Sequence, residues 1–153
     1  MSVAFRRESD EEHLEPKFEL PIPPGPNFVS PDGLAQIEER VAELELAVEA
    51  TLDEERRKLV RRDLRYWRNR LASAQSAPAP RAGKVGIGSR VRFILRGKPL
   101  EVRISGYDEA DPAQHRIAFS APLARALLGG EAGDLADFAG EEEAIEIVMV
   151  ENA

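Results

Sequence analysis

The densest chemistry in the chain is a run of three carboxylates, Asp53, Glu54 and Glu55, with Glu49 just before them across an expected turn. Hard oxygen ligands clustered in this way suit a magnesium ion that also takes oxygens from a phosphate or a partner. The same acids suit the first turn of a helix, where negative charge complements the positive end of the helix dipole, and that one mechanism accounts for all three. Immediately after them come Arg56, Arg57, Lys58 and Arg61, cations able to contact nucleic-acid phosphates or to pair with an acidic neighbouring helix and water. Elsewhere the chemistry is sparse. His13 and His115 stand alone and there is no cysteine, which excludes disulfides, thiolate metal sites and cysteine nucleophiles and leaves no zinc site. No serine sits in a nucleophile elbow, and Gly86-Ile87-Gly88 lacks the rest of any phosphate-loop pattern. Tyr66 and Trp67 fit packing better than base stacking.

These residues need an element to hold them, and the stretch Ser30 to Gln75 reads as an antiparallel helical hairpin. Ser30 can cap a helix, Pro31 suits the first helical position, and Val29 can staple onto Leu34. Leu34, Ile37, Val41, Leu44 and Val48 then alternate by three and four, as do Val60, Leu64, Trp67, Leu71 and Ala74, the narrow apolar seam of a coiled coil. Between them Thr51 and Glu54 have capping-box spacing, which places a turn near residues 49 to 52. The first arm is acidic apart from Arg40 and the second basic, so folding back sets acid beside base. A single long helix that dimerises through the same seam is the alternative.

Length and composition bound the rest. At 153 residues there is room for one compact domain and an appendage. With 28 acids against 21 bases, net charge does not favour a protein that grips duplex DNA through charge alone. No apolar run is long enough to span a bilayer and the N-terminus lacks a signal-peptide core, so a cytoplasmic protein without a membrane partner is expected. Residues 1–28 mix charge with proline and read as a disordered or extended tail, on which Phe5, Phe18 and Leu20 could still dock. Residues 29–76 form the hairpin, 77–83 an Ala-Pro linker, and 84–153 a second domain.

That domain reads as a short, strongly bent sheet with one helix. Val91, Phe93 and Leu95 alternate with arginines, Gly97-Lys98 turns the chain, and Leu100, Val102 and Ile104 alternate with Glu101 and Arg103. Gly106 to Pro112 is a polar loop, and Ile117 and Phe119 mark a third strand. Ser120 or Ala121 caps a helix with Pro122 in its first turn and Gly129-Gly130 at its end. Ala144 to Val150 is a last strand, apolar on both faces. The order implies an α+β fold of antiparallel type.

Four segments of this domain resemble the C-terminal domain of the bacterial Gre transcription elongation factors, GreA and GreB: Lys84-Val85-Gly86-Ile87-Gly88-Ser89-Arg90-Val91, Ile104 to Asp111, Ser120 to Gly129, and Gly133-Asp134. Tyr107-Asp108-Glu109 and the run Pro122 to Leu128 look more like GreB. Val29 to Leu34 and Arg61 to Leu71 are similar to the opening of that family and to the end of its second stalk helix.

The resemblance implies an FKBP-like head that docks on RNA polymerase, with Pro122, Leu123 and Arg125 in the segment near the docking surface. It implies a coiled-coil stalk that enters the secondary channel, where tip acids help hold a second magnesium ion and stimulate cleavage of backtracked RNA. The metal is then shared with the polymerase, with no cofactor tightly bound to the chain. RNA and DNA are met only within the transcription complex. The expected protein is a monomer and not itself an enzyme. The family's Gly-Asp-x-Ser-Glu-Asn tip is absent between Ser30 and Gln75, and a first arm of about 19 residues reaches only about 28 Å. A stalk that occupies the channel without cleavage, as in the regulator of nucleoside diphosphate kinase, is therefore an alternative. Outside this class stand a homodimeric coiled-coil adaptor and an FKBP-like prolyl isomerase or chaperone, the latter with Phe93, Tyr107, Phe119 and Phe138 as its sparse aromatic lining.

Overall fold

The computed structural model describes residues 18–152. Phe5, His13 and most of the expected tail lie outside them. The chain divides into two compact units. One comprises residues 35–73 with the segment that runs up to Gly25, and the other residues 26–34 and 74–153.

The first unit is the helical hairpin. Helix α1, Pro31–Ala50, and helix α2, Glu54–Ser73, are each 20 residues long, about 30 Å at the rise of a helix. Val41, Leu44 and Leu64 are buried between the arms, and Val48, Val60, Trp67 and Leu71 pack around them. The seam thus closes within one chain, and the long uninterrupted helix is not formed. The turn corrects the expected capping box. Thr51 does not cap α2; its amide and hydroxyl both donate to the Ala47 carbonyl, at 2.9 and 2.6 Å, and close α1. Asp53 is the cap of α2: its Oδ2 accepts from the Arg56 amide at 3.0 Å and its carbonyl from the Arg57 amide at 2.9 Å. Asp53 therefore caps the third helical position, and Glu54 is the first residue of the helix with nothing to reach back to.

Charge is arranged more locally than the contrast between the arms suggests. Glu45 and Arg68 pair across the hairpin at 3.3 Å. Arg40–Glu43, Glu54–Arg57 and Glu55–Lys58 pair one turn apart on a single helix. Neighbours at i, i+3 need no tertiary register to meet, so they form first wherever the sequence supplies them.

The second unit is built on a five-stranded sheet. Its strands are β3 Arg90–Leu95, β4 Lys98–Ser105, β5 Arg116–Ala118, β6 Leu135–Phe138 and β7 Glu141–Glu151, in the order β5-β4-β3-β7-β6. All neighbours are antiparallel except β4 and β5. Alternation puts Val91, Phe93, Val102, Ile104, Ile145 and Ile147 on one face, where they bury Ala124 and Leu127 of helix α3, Pro122–Leu127. A bulge where β3 meets β7, between Arg92 and Phe93, lets the sheet bend around that short helix.

Three features differ from the sequence reading. The β3–β4 turn is Arg96-Gly97, not Gly97-Lys98, because both of its residues take positive φ, 50° and 81°, as a two-residue hairpin turn of the mirror-image type requires. Strand β6, unexpected, joins β7 through a similar pair, Ala139 and Gly140, at 52° and 81°. A separate two-stranded parallel sheet pairs β1, Asn27–Val29, with β2, Ala74–Ser76. The sequence pattern assigns Asn27 and Phe28 to the tail and Ala74 to the helical seam, and the strands replace both. Here the segments before α1 and after α2 satisfy each other's backbone groups, and the Ala77 amide extends the ladder to the Val29 carbonyl at 3.0 Å.

Candidate functional site

The tip of the hairpin is Thr51-Leu52-Asp53, with Leu52 90% exposed. The three acids of the expected metal site all begin α2 but do not converge. Asp53 spends Oδ2 on its own helix, Glu54 lies 4.0 Å from Arg57 and 3.9 Å from Arg61, and Glu55 lies 3.4 Å from Lys58. Among the described residues no three His, Cys, Asp or Glu side chains are grouped to hold a metal ion. Acids in the first turn of α2 stabilise its N-terminus, and each has a cation one turn on. By itself this tip does not fit a magnesium ion.

Three of the four candidate phosphate contacts are likewise engaged through their side chains. Arg57 reaches back across the turn, where its Nε donates to the Val48 carbonyl at 3.3 Å, and it shares Glu54 with Arg61. Lys58 is tied to Glu55, and Arg56 supplies its amide to the Asp53 cap. Arg61, Arg65 and Arg68 with Glu45, Glu49, Val48 and Leu64 line a groove on the hairpin.

In the second unit Pro122 is the first residue of α3, preceded by Ala121 as a cap without a side-chain bond. Pro122 and Arg125 are exposed, whereas Leu123 is half-buried against the core formed by Ala124 and Leu127. Arg125 pairs with no carboxylate among the described residues. The helix presents a proline and a cation outward and anchors itself with the leucines. Its end is held from both sides: the Val85 amide donates to the Gly130 carbonyl at 2.8 Å, and the Gly129 amide donates to the Val85 carbonyl at 2.9 Å.

Sequence reasoning missed three polar anchors. Glu109, in the loop after β4, accepts from the Ser30 amide at 3.2 Å, from the Ser30 hydroxyl and from the Gly106 amide at 3.1 Å, while Ser30 Oγ caps α1 by accepting from the Gly33 amide at 3.0 Å. Glycine is required at 106, where a Cβ would stand 2.5 Å from the Phe28 carbonyl oxygen, and at 33 a Cβ would stand 2.2 Å from the Glu109 carboxyl carbon and displace that side chain from Ser30. Asn152 is the second anchor. Its Nδ2 donates to the Lys84 and Arg81 carbonyls at 2.8 and 3.1 Å, and its Oδ1 accepts from the buried Ser89 hydroxyl. The third is Glu19 on Arg65 of α2, where hydrogen bonds from the guanidinium hold the Glu19 carboxyl below the usual carboxylate range and raise Arg65 in turn. The opposite charge of the segment around Glu19 and of the Arg-rich second helix was the available signal in the sequence for this last contact.

The four aromatics named for an isomerase cleft are dispersed. Phe93 is in the core, Phe138 packs on it, Phe119 meets Phe28 edge-on at 5.6 Å, and Tyr107 is exposed.

Comparison with known proteins agrees with this head. The family described as transcription elongation factor GreA/GreB, C-terminal, matches residues 79–152. GreA of Mycoplasmopsis pulmonis is 34% identical over 71 residues, 45% of either chain. GreA of Legionella pneumophila is 44% identical over 57 residues, 36% of either chain. The matches thus span less than half the length of these curated relatives. Among solved structures, GreA factor homolog 1 of Thermus thermophilus aligns over 84% of this chain and 100% of its own at 16% identity and a TM-score of 0.40. The family match and the curated relatives agree on one region: residues 79–152 are similar to the C-terminal domain of the GreA/GreB transcription elongation factors.

Proposed function

We propose that the chain is an RNA polymerase-binding factor that modulates transcript elongation through the polymerase's secondary channel, acting as a monomer in the cytoplasm and not as an enzyme itself. The observation that carries this reading is the family match over residues 79–152, which spans the sheet domain and α3. Pro122 and Arg125 stand outward on α3 and Leu123 fixes the helix, an arrangement suited to contact with a protein partner. The helical hairpin is the element long enough to enter a channel, at about 30 Å.

A specific observation favours occupancy of the channel over stimulated RNA cleavage. Asp53 caps α2, Glu54 and Glu55 have cationic partners, and the tip does not assemble a cation site. RNA and DNA are met within the transcription complex, and Arg57, Lys58 and Arg61 reach phosphates there only by giving up the partners they have, whereas Arg56 engages the tip through its backbone amide alone.

The test uses backtracked elongation complexes of the cognate polymerase with magnesium. The natural chain and an Asp53→Asn/Glu54→Gln variant, in which Asn keeps the cap, are added in turn, and a Pro122→Ala/Arg125→Glu variant serves for binding. Occupancy predicts binding that fails in the α3 variant, with no cleavage beyond the polymerase's own. Cleavage that disappears in the tip variant would replace occupancy by a relocated acidic tip acting on a metal held by polymerase. No binding by the natural chain would overturn the reading altogether.

A further inference from the structure

Helix α3 covers one face of the five-stranded sheet, the face of Val91, Phe93, Ile104 and Ile147, and the residues that alternate with these point the other way. Strand register sets four arginines on that outer face. Arg103 of β4 stands directly opposite Arg90 of β3 on one side and Arg116 of β5 on the other, and Arg92 follows two residues along β3. Neighbouring strands are about 4.8 Å apart, so the row of three spans about 10 Å. Like charges directly opposite one another destabilise a sheet, so folding does not account for the row.

Neighbouring carboxylates engage half of it. Arg90 lies 3.4 Å from Glu101 and 3.7 Å from Glu151, and Arg92 shares Glu101 at 3.6 Å. Arg116 donates instead to the neutral Gln114 side chain at 2.5 Å, and neither it nor the exposed Arg103 pairs with a carboxylate among the described residues. These two keep their charge available in a chain whose net charge is −7. Beside the row the outer face is largely apolar. Val148 is 50% exposed and Met149 stands opposite Arg92, while Ile94 faces Pro99 on one side and, on the other, Glu146 and then Leu135, which is 54% exposed.

Such a surface fits a ligand that is acidic along one flank and apolar along the other. A helix repeats a face every turn, about 5.4 Å, close to the spacing of the strands, so carboxylates one turn apart meet successive arginines. Its width of about 10 to 12 Å bridges most of the roughly 13 Å between Arg90 and Ile94, four residues apart on β3. Nucleic acid fits less well. Phosphates use the arginines but set charge over Val148, Met149 and Ile94, and the strand aromatics Phe93 and Phe138 face the core, so none is offered to stack a base. We propose that the outer face of the sheet is a docking surface for an acidic amphipathic helix of a partner protein, with Arg103 and Arg116 taking its carboxylates and Ile94, Val148 and Met149 its apolar flank. The surface lies on the side of the sheet opposite α3, so the two are separate contacts.

An NMR titration of the ¹⁵N-labelled full chain tests this, with a synthetic helical peptide that carries glutamates one turn apart beside a stripe of leucines. Docking predicts saturable shifts of the Arg103 and Arg116 Nε signals and of the Ile94, Val148 and Met149 amides. Affinity should fall at least about ten-fold in Arg103→Gln/Arg116→Gln, which keeps side-chain bulk on an exposed face, and about three-fold in Val148→Ser. It should hold in Lys98→Gln, a cation whose strand partner Leu95 packs on the core face. The same peptide with glutamine in place of glutamate should lose the Nε shifts. Binding that the arginine variant or Val148→Ser leaves unchanged would overturn the proposal, as would the absence of any saturable shift. Shifts of the same signals on concentrating the chain alone would assign the face to a second copy, and tighter binding of a single-stranded RNA of equal charge would assign it to nucleic acid; either result overturns docking of an acidic helix.

Discussion

Replacement of Asp53 by alanine and by asparagine separates what this residue does for folding from what a carboxylate could do at a tip. The Asp53 side chain accepts one hydrogen bond, from the Arg56 amide at 3.0 Å, and it carries one negative charge at the positive end of α2. Loss of such a cap costs about 1 kcal/mol, and loss of a charge beside the helix terminus costs about 0.3 to 1 kcal/mol more. Glu54 and Glu55 stay in the first turn and retain part of the charge effect, so Asp53→Ala is expected to destabilise the hairpin by about 1.5 kcal/mol. Asparagine caps as well as aspartate does, so Asp53→Asn is expected to cost only about 0.3 kcal/mol. Trp67 is the sole tryptophan and packs against the buried seam, so its fluorescence follows this unit alone. With a urea slope of about 1 to 2 kcal/mol per molar, alanine moves the midpoint down by about 1 M while asparagine leaves it nearly in place. Equal losses in the two variants, or none in either, would refute the assignment of Asp53 as the cap.

Three further outcomes follow from single contacts. Gly106→Ala puts a methyl against the Phe28 carbonyl oxygen, a backbone atom that cannot swing aside, and is expected to cost about 1 to 3 kcal/mol in thermal unfolding; an unchanged midpoint would contradict the close approach. Asn152→Ala leaves the buried Ser89 hydroxyl without its acceptor and frees two carbonyls, so it is expected to cost about 1 to 3 kcal/mol and to speed hydrogen exchange at the Val85 amide; unaltered exchange would count against the anchor. The Glu19 carboxyl titrates lower when docked than when free, so its contribution is complete above the ordinary value near 4.5 and is lost as pH falls through the depressed one. An NMR titration should show the Phe18 ring leaving Arg62 over that acidic range, and a Glu19 midpoint at or above the ordinary value would refute it.

What was legible in the sequence was local and periodic. Alternation located β3 and β4, spacings of three and four located the seam, and Ser30 and Pro122 sit at helix starts as their chemistry requires. What escaped was either short or joined across distance. Strand β6 has four residues with a charged Asp137 among them, too few for a period, and it turns at Ala139, a residue whose type gives no warning of positive φ. Strands β1 and β2 have three residues each and lie 47 positions apart, so each looks like a neighbour's continuation, one of the proline-rich segment and the other of α2. At the tip, Thr51 and Glu54 satisfied the spacing of a capping box. Asp53 nevertheless wins, because the Thr51 hydroxyl finds the Ala47 carbonyl first and is spent in ending α1.

The contrast between an acidic and a basic arm also takes on another meaning. If the arms neutralised each other, α2 would present little free charge. Instead Glu43 pairs with Arg40 on α1 and Glu54 and Glu55 pair within α2, so that Glu45–Arg68 is the ion pair described between the arms. Arms held by an apolar seam do not need charge to choose their register, and short-range pairs cost less side-chain entropy to form. The surplus of cations on α2 therefore persists beside the seam, where Arg62 and Arg65 take up Phe18 and Glu19 from outside the hairpin. The same local pairing removes the acids of the tip from one another's reach. Pairing of the tip acids with cations one turn on along their own helix thus leaves the tip without a cation site, while Arg65 and Arg62 keep their contacts with Glu19 and Phe18.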